Sequence, residues 1–377
     1  MGSRMGRTSM KIAYLYDAVY PWVKGGAEKR IYELSRRLAS RGHEVHCYGI
    51  KWWPGGDDCV IEGVRIHGIC APRELYSGDR RSIREAMIFA GKCLASLKGD
   101  YDLIDCQAFP YFPCFPAKLF SMRGPELFIT WHEVWGDYWY EYLGRKGAFG
   151  KLVEKAAARL TDKNIAVSKR TMKDLEGLGV SGVQVVPNGI DFKRIEKIKA
   201  SGRQSDIICV GRLVGHKNVD LLIRAIGIAV KEVPDIQAIV VGDGPERGKL
   251  MALVKELDLE KNIEFTGFLD DYDEALALMK SSKVFASPSV REGFGMAALE
   301  ANACGLPVVT VRHRMNAVCD LVTKETGLVC EPSTEDIAGA IKKELVSREE
   351  VRRRCIENAR GYDWKKVCDL AEMIYEV

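Results

Sequence analysis

Residues 12–48 read IAYLYDAVYPWVKGGAEKRIYELSRRLASRGHEVHCY. A short apolar run, Ile12–Tyr16, leads to the glycine pair Gly25-Gly26. From Ala27 to Ala39 the spacing is helical: Ile31, Leu34 and Leu38 share one face, and Lys29, Arg30, Arg36 and Arg37 share the other. Gly42 stops the helix, and Glu44–Tyr48 is the next strand. Strand, glycine turn, helix, strand is a βαβ unit, which demands a parallel sheet with helices packed on it.

Working outward, further strands are expected at Tyr101–Cys106, Leu127–Trp131 and Asn164–Val167, with a helix at Lys151–Leu160 before the last. The rhythm restarts after residue 203, with strands at Ile207–Val210, Ile236–Val241, Ile263–Thr266, Val284–Ser287 and Val308–Val311. Helices at Asn218–Val230, Arg247–Leu257, Tyr272–Lys280 and Met296–Cys304 lie between them. A chain of 377 residues suits two domains of about 150–200 residues. The expectation is therefore α/β, with two doubly wound Rossmann-like parallel-sheet domains, residues 10–192 and 203–355, facing a cleft. The pattern over 358–377 is a helix that packs back on the first domain. Ligands of such sheets bind beyond the carboxyl ends of the strands.

Composition narrows the class. Hydrophobic residues make up 47% and charged residues 29%, as in a globular protein, and no apolar run reaches the roughly 18–20 residues that span a bilayer. Residues 1–9 read as an added leader and Met10 as the natural start, with no apolar core of a secretory signal. Localisation is expected to be cytoplasmic. The twelve cysteines include no C-x-x-C pair and many sit in apolar runs, so they read as reduced core residues, with neither a disulfide framework nor a zinc site. Net charge is +4, split as 28 Lys+Arg against 22 Asp+Glu in residues 1–192 and 28 against 30 in the remainder. A mildly basic first half is compatible with a peripheral contact at the inner membrane face, and too weak for nucleic-acid binding.

Three loops carry the chemistry. Gly25-Gly-Ala-Glu28 stands at a helix start, where backbone N–H groups and the helix dipole favour an oxyanion; a tight turn needing positive φ is the structural alternative. It is not G-x-G-x-x-G, and no acidic residue closes the second strand, which argues against a nicotinamide dehydrogenase. Arg212 and Lys217, five apart in one loop, suit a diphosphate, or else are two solvated charges. Arg291-Glu-Gly-Phe-Gly-Met-Ala-Ala-Leu-Glu300 places Glu292 before a glycine turn at a helix start and Glu300 inside a helix of small residues. A carboxylate there needs a partner, either ribose hydroxyls or an Arg of the core. On one helix the two glutamates would stand about 12 Å apart, beyond the roughly 5–9.5 Å of glycosidase pairs, so separate roles fit better.

Together these segments resemble the retaining glycosyltransferases of the GT-B fold, family 4. The resemblance runs from Met10 to the end and rests on Gly25–Glu28, Trp131-His132, Val167–Lys169, Val185–Asp191, Gly211-Arg212 with Lys217, Gly242–Pro245, Phe265–Phe268, and the E-x7-E pair Glu292 and Glu300. The family often reads Glu-Lys-Gly where this chain has His216-Lys217-Asn218; Lys217 is kept.

The resemblance implies a nucleotide-diphosphate sugar donor, most commonly a UDP-sugar. Arg212 and Lys217 would hold the diphosphate and the Gly293-Phe294-Gly295 segment would support it. Glu300 would bind the ribose and Glu292 would orient the sugar. Gly25 and Gly26 would meet the phosphate from the first domain, and His132 would meet the sugar's primary hydroxyl. It implies transfer of a hexose with retention, with no cofactor and no metal. Glu292, His132, Arg212 and Lys217 are the catalytic candidates. Acceptor candidates are Asp17 and an aromatic wall at Trp135 and Trp139, beside acids at Glu133, Asp137 and Glu141, since six of the seven Trp precede residue 140. Such a wall fits a glycan acceptor, including a lipid-linked one. Alternatives are a GT-B nucleotide-sugar epimerase and a catalytically silent nucleotide-binding partner protein.

Overall fold

The computed structural model describes residues 9–72, 75–77, 80–346 and 349–376. The chain divides into two compact units, residues 1–187 with 365–377, and residues 188–364. The division falls at Pro187/Asn188, a few residues before the polar stretch at 190–204.

In the first unit the sheet order is Gln184–Val185, Asn164–Ala166, Glu126–Trp131, Leu103–Ala108, Lys11–Leu15, Glu44–Ile50, Val64–Cys70 and Asp58–Ile61. All neighbours are parallel except the last pair, a hairpin that closes the edge. That hairpin was not expected from the sequence, nor were the helices Ile83–Ser96 and Cys114–Ser121. The expected strands are present, with ends that differ by at most two residues.

Strand side chains alternate between two faces. On one face, Leu15, Ile104, Cys106, Ile129 and Trp131 share a core with the helices Ile83–Ser96, Cys114–Ser121 and Gly147–Ala157. The other face takes the helix Gly26–Ser40, which brings Ile31 and Ser35 against Tyr14 and Cys47. The last helix, Trp364–Tyr375, joins this side through Tyr375, whose ring meets Phe128 at 5.1 Å. It is a separate element from the helix Glu349–Arg360, with a turn at Gly361-Tyr362, so the helix expected over 358–377 is shorter than its sequence pattern.

The main sheet of the second unit has six strands, all parallel, in the order Ile263–Gly267, Ala238–Val241, Ser205–Val210, Ser282–Ser287, Val308–Val311 and Gly327–Cys330. Its core is aliphatic, drawn from Ile207, Val240, Val284 and Val309 with the helix residues Leu222, Ile226 and Ile341. Numbered within the unit, the order is 3-2-1-4-5-6, which reverses direction between Ser205–Val210 and Ser282–Ser287. A binding crevice belongs at that point, outside the carboxyl ends of the two strands. All twelve cysteines are free. Among the described residues no helix is long and apolar enough to cross a membrane.

Candidate functional site

In the second unit the loops that leave the two central strands are sewn together. Gly215–Lys217 forms one 3-10 turn, and Asn218 follows in the left-handed region at φ 48°, a conformation Asn tolerates. The Val290 N–H donates to the His216 carbonyl at 3.0 Å, and Asn218 Nδ2 donates to the Pro288 carbonyl at 3.3 Å. These bonds bring Lys217 Nζ into direct contact with Glu292 Oε1, both side chains partly buried. His216 contributes its backbone to this seam.

Glu292 is itself pinned. Arg291–Glu292 pairs in parallel with Met315–Asn316, and the Glu292 carbonyl accepts from the Ala317 N–H at 2.8 Å. Glu292 therefore lies on a short strand, off the helix, and Gly293-Phe294-Gly295 turns the chain into the helix Met296–Ala303. Gly295 caps that helix at φ +97°, and a Cβ there would lie 2.3 Å from Val318 Cγ2. Phe294 is buried, its ring 6.1 Å from that of Tyr362. Arg212 stands exposed in the preceding loop.

Glu300 is 3% exposed and accepts a hydrogen bond from the Tyr272 hydroxyl. This donor answers the need for a partner, which the sequence analysis assigned to ribose or Arg. Burial, then the Glu300 charge, holds the Tyr272 phenol well above its usual pKa. The Gly242–Pro245 segment has a structural role: a Cβ on Gly242 would come 2.0 Å from the Gly211 carbonyl oxygen, and one on Gly244 2.3 Å from that of Leu213. Only glycine lets these loops run backbone to backbone.

In the first unit neither Gly25 nor Gly26 has positive φ, so the tight-turn explanation does not apply. Gly25 is the extended N-cap of the helix Gly26–Ser40 and lies against the Glu28 carboxylate, while a Cβ on Gly26 would meet nothing within 4 Å. Asp17 is fully buried and ion-paired to Arg81; its backbone carbonyl accepts from Trp52 Nε1 at 3.0 Å. Burial raises the Asp17 pKa and Arg81 opposes the rise. The Asp17 carboxylate is thus enclosed and offers no open acceptor surface. Nothing near Asp17 in the sequence pointed to Arg81.

His132 follows the strand Glu126–Trp131 directly. Its Nε2 lies 2.9 Å from Gln107 Oε1, and Gln107 Nε2 donates to Asp105 Oδ1 at 2.8 Å. Asp105 also accepts from Thr130 Oγ1 at 2.8 Å and from the Tyr375 hydroxyl, brought in by the last helix. Burial raises the Asp105 pKa, and the hydrogen bonds from Tyr375 and Thr130 oppose the rise; Asp105 accepts from Gln107 Nε2 and so orients the amide, whose oxygen then requires Nε2–H on His132. Nδ1 is left as an acceptor. By surface area the ring is half-buried, but its environment is dry: burial first, then the positive charge of Arg30, pushes the His132 pKa down to about 3. Arg30, 2% exposed, donates to the Pro187 carbonyl at 2.6 Å. Gln107 and Asp105 sit two apart on one strand, an alternation signal that was legible in advance; Tyr375 was not.

The aromatic wall is corrected. Trp135 is 3% and Trp139 7% exposed, and both belong to the core. Trp135 packs at a tilt against Phe109 and Trp139, with ring centroids 4.3 Å and 4.6 Å away. Gly150 makes the notch for Trp139, since a Cβ there would fall 2.4 Å from the indole. Glu154, 1% exposed, accepts from the Tyr111 hydroxyl and the Trp135 N–H, each at 2.7 Å, and from the Gly136 N–H at 2.9 Å. The acids at 133, 137 and 141 do not form a helical edge, because the helix is only Tyr138–Leu143. Among the described residues no cluster of three His, Cys, Asp or Glu side chains is arranged to hold a metal.

Comparison with known proteins agrees with this architecture. The model described as Glycosyltransferase Family 4 matches residues 24–194, and the one described as Glycosyl transferases group 1 matches residues 191–362. A phosphatidylinositol N-acetylglucosaminyltransferase subunit of Arabidopsis thaliana is 25% identical, over 97% of this chain and 82% of its own length. The sucrose-phosphate synthase of Thermosynechococcus elongatus superposes with a TM-score of 0.77 at 21% identity, covering 97% of this chain and 98% of that one. Anabaena HepE, solved with UDP and glucose, superposes with a TM-score of 0.71 at 19% identity, covering 98% and 100%. Two family models in tandem, meeting at the boundary between the units, and a strand order that places Lys217 and Glu292 at the switch point lead to one assignment: the chain belongs to the GT-B glycosyltransferases of family 4.

Proposed function

We propose that this glycosyltransferase moves a hexose from a nucleotide-diphosphate sugar, a UDP-sugar in the first instance, to a glycan or lipid-linked acceptor, with retention and without a metal. The observation that carries the reading is the Lys217–Glu292 pair at the switch point, one turn before a helix N-terminus at Gly295. A diphosphate placed there meets the Lys217 ammonium, the Arg212 fork and the N–H groups of the helix start, all suited to negative charge. Glu292, released from Lys217 by the phosphate, is free to accept from sugar hydroxyls. Glu300, already oriented by Tyr272, takes the ribose.

In the first unit we assign Gly26 to a phosphate oxygen and His132 to the sugar's primary hydroxyl, which would donate to Nδ1. A neutral imidazole suits that contact. The acceptor hydroxyl oxygen forms the new bond at the anomeric carbon on the face that the leaving phosphate vacates. The bond to the phosphate oxygen breaks, and the acceptor proton passes to that oxygen. Arg212 and Lys217 stabilise the charge that develops, which is where catalysis is gained. The relative with phosphatidylinositol in its name supports a lipid-linked acceptor, and with it a peripheral contact with a membrane; a cytoplasmic location at the inner membrane face is part of the same proposal.

The test is the anomeric configuration of the product by NMR, with and without EDTA. Retained linkage at an unchanged rate is expected. An inverted linkage, or a rate abolished by EDTA and restored by Mg²⁺, overturns the mechanism. A free epimerised sugar formed without acceptor would mark the epimerase instead.

A further inference from the structure

Of the sixteen large apolar residues that stand exposed among the described residues, seven lie on or just after three helices of one layer of the first unit. That layer is the one packed on Leu15, Ile104 and Trp131, the face of the sheet opposite the helix Gly26–Ser40. Met87 and Leu94 continue the stripe begun by Ile83, at spacings of four and seven residues. Leu119 and Met122 stand on and just after the adjacent helix, and Phe149 and Leu152 on the third.

The charge on the same helices has one sign. Ile83–Ser96, Cys114–Ser121 and Gly147–Ala157 contain two acids, Glu85 and Glu154, and both are turned inward, 3% and 1% exposed. Arg84, Lys92 and Lys155 are exposed on the outer faces, with Lys98, Arg123, Arg145 and Lys146 just beyond the helix ends. Between the first and third helices opens an apolar pocket of about 60 Å³, lined by Ile83, Phe109, Phe112, Tyr142 and Phe149. Lys151 of the third helix is paired to Asp137 at 2.6 Å, and on the opposite layer Arg36 and Arg37 of Gly26–Ser40 are paired to Glu33 of the same helix.

We infer that this helical layer is the face by which the enzyme docks on an anionic lipid bilayer. Aliphatic side chains enter the acyl boundary and the surrounding lysines and arginines meet lipid phosphates, the arrangement of an interfacial helix spread over three helices. The large exposed groups are aliphatic more than aromatic and offer little to stack nucleic-acid bases. The inference rests on the lipid-side acceptor reading above for its biological meaning, but its test uses no sugar.

The experiment is co-sedimentation of the whole protein with phosphatidylcholine vesicles, pure or with roughly one-third phosphatidylglycerol. Binding to the anionic vesicles at low salt is expected, with a partition coefficient that drops about tenfold as salt collapses the Debye length from about 10 Å to 3 Å. Phe149→Ser with Leu152→Ser, and separately Lys92→Glu with Lys155→Glu, should each lower it about tenfold. Stabilisation by added UDP should stay as in the parent, which separates loss of docking from loss of folding or of donor binding. Parent protein left in the supernatant, or double variants that bind as the parent does, overturns the proposal. So does self-association abolished by Phe149→Ser with Leu152→Ser in the absence of vesicle binding, which would make the layer an interface between copies.

Discussion

The two sheets present their functional groups by opposite means. In the second unit the side chains beyond the strand ends are matched in pairs: Lys217 and Glu292 partly buried against each other, and Glu300 buried on the following helix against a phenol. In the first unit the corresponding end holds a neutral imidazole at the tip of a buried chain of hydrogen bonds, with its own charge suppressed by a dry pocket and Arg30. One unit stores charge that can be exchanged for a ligand's charge. The other stores orientation, which is worth having only if it is set before the substrate arrives.

The largest effect should come from the element that belongs to neither device. Trp139→Ala removes a ring wedged against Gly150 and should cost about 3–5 kcal/mol in chemical denaturation. A stable Trp139→Ala protein with a raised acceptor KM would restore the surface role that its burial argues against.

Next come the exchangeable charges. Lys217→Ala and Arg212→Ala should each lower kcat at saturating donor about a hundredfold or more, equal to about 2.7 kcal/mol or more of transition-state stabilisation. Near-normal turnover in both would place the diphosphate elsewhere and break the comparison on its charged side.

The orientation side is sharpened by Gln107→Leu. Without the amide oxygen nothing selects Nε2–H, so the His132 tautomers should mix, visible as altered imidazole nitrogen shifts in long-range NMR correlations. Donor kcat/KM should fall roughly tenfold while nucleotide affinity is kept. Unchanged shifts would leave Gln107 a packing residue. A related check uses pH. The folded pKa of His132, about 3, lies below its unfolded value near 6.5, so the unfolded state binds more protons between them. The His132 contribution is fully present above about pH 6.5 and is lost as pH falls toward 3. Parent stability should therefore decline more steeply than that of His132→Asn over that interval, and the same slope in both would contradict the buried neutral ring.

The smallest structural effect is expected at Gly26→Ala. Nothing lies within 4 Å of the added Cβ, so stability should move by no more than about 0.5 kcal/mol, while donor turnover falls if a phosphate uses that space. Unchanged turnover would release Gly26 from the donor site.

Most of the α/β alternation was legible because parallel strands buried on both faces read as short apolar runs between glycine turns, as at Ile207–Val210 and Val308–Val311. The hairpin Asp58–Ile61/Val64–Cys70 escaped because its edge strand is only four residues long and its partner opens with the alternation Val64-Arg-Ile-His67 in place of an apolar run. The site was legible where its residues are close in sequence, as from Glu292 to Gly295. It was not legible where the partner is distant. Tyr272 reaches Glu300 from another helix, and Arg81 reaches Asp17 from 64 residues away. The aromatic run misled for a physical reason: ring content is the same whether indoles face sugar or each other, and the notch at Gly150 decides between them.

The helix Trp364–Tyr375 also bears on the order in which the protein is made. It supplies Tyr375 to Asp105, and Glu372 to Arg41 and His43. Those side chains belong to a unit whose remaining residues end at 187, while its last segment begins at 365. At about 5–20 residues per second a ribosome needs roughly 10–35 seconds to cross the intervening stretch. For that interval the nascent first unit lacks one donor to Asp105 and the acidic partner of Arg41 and His43. The second unit, contiguous from 188 to 364, has every residue it needs before the first one does. The unit translated first is thus completed last.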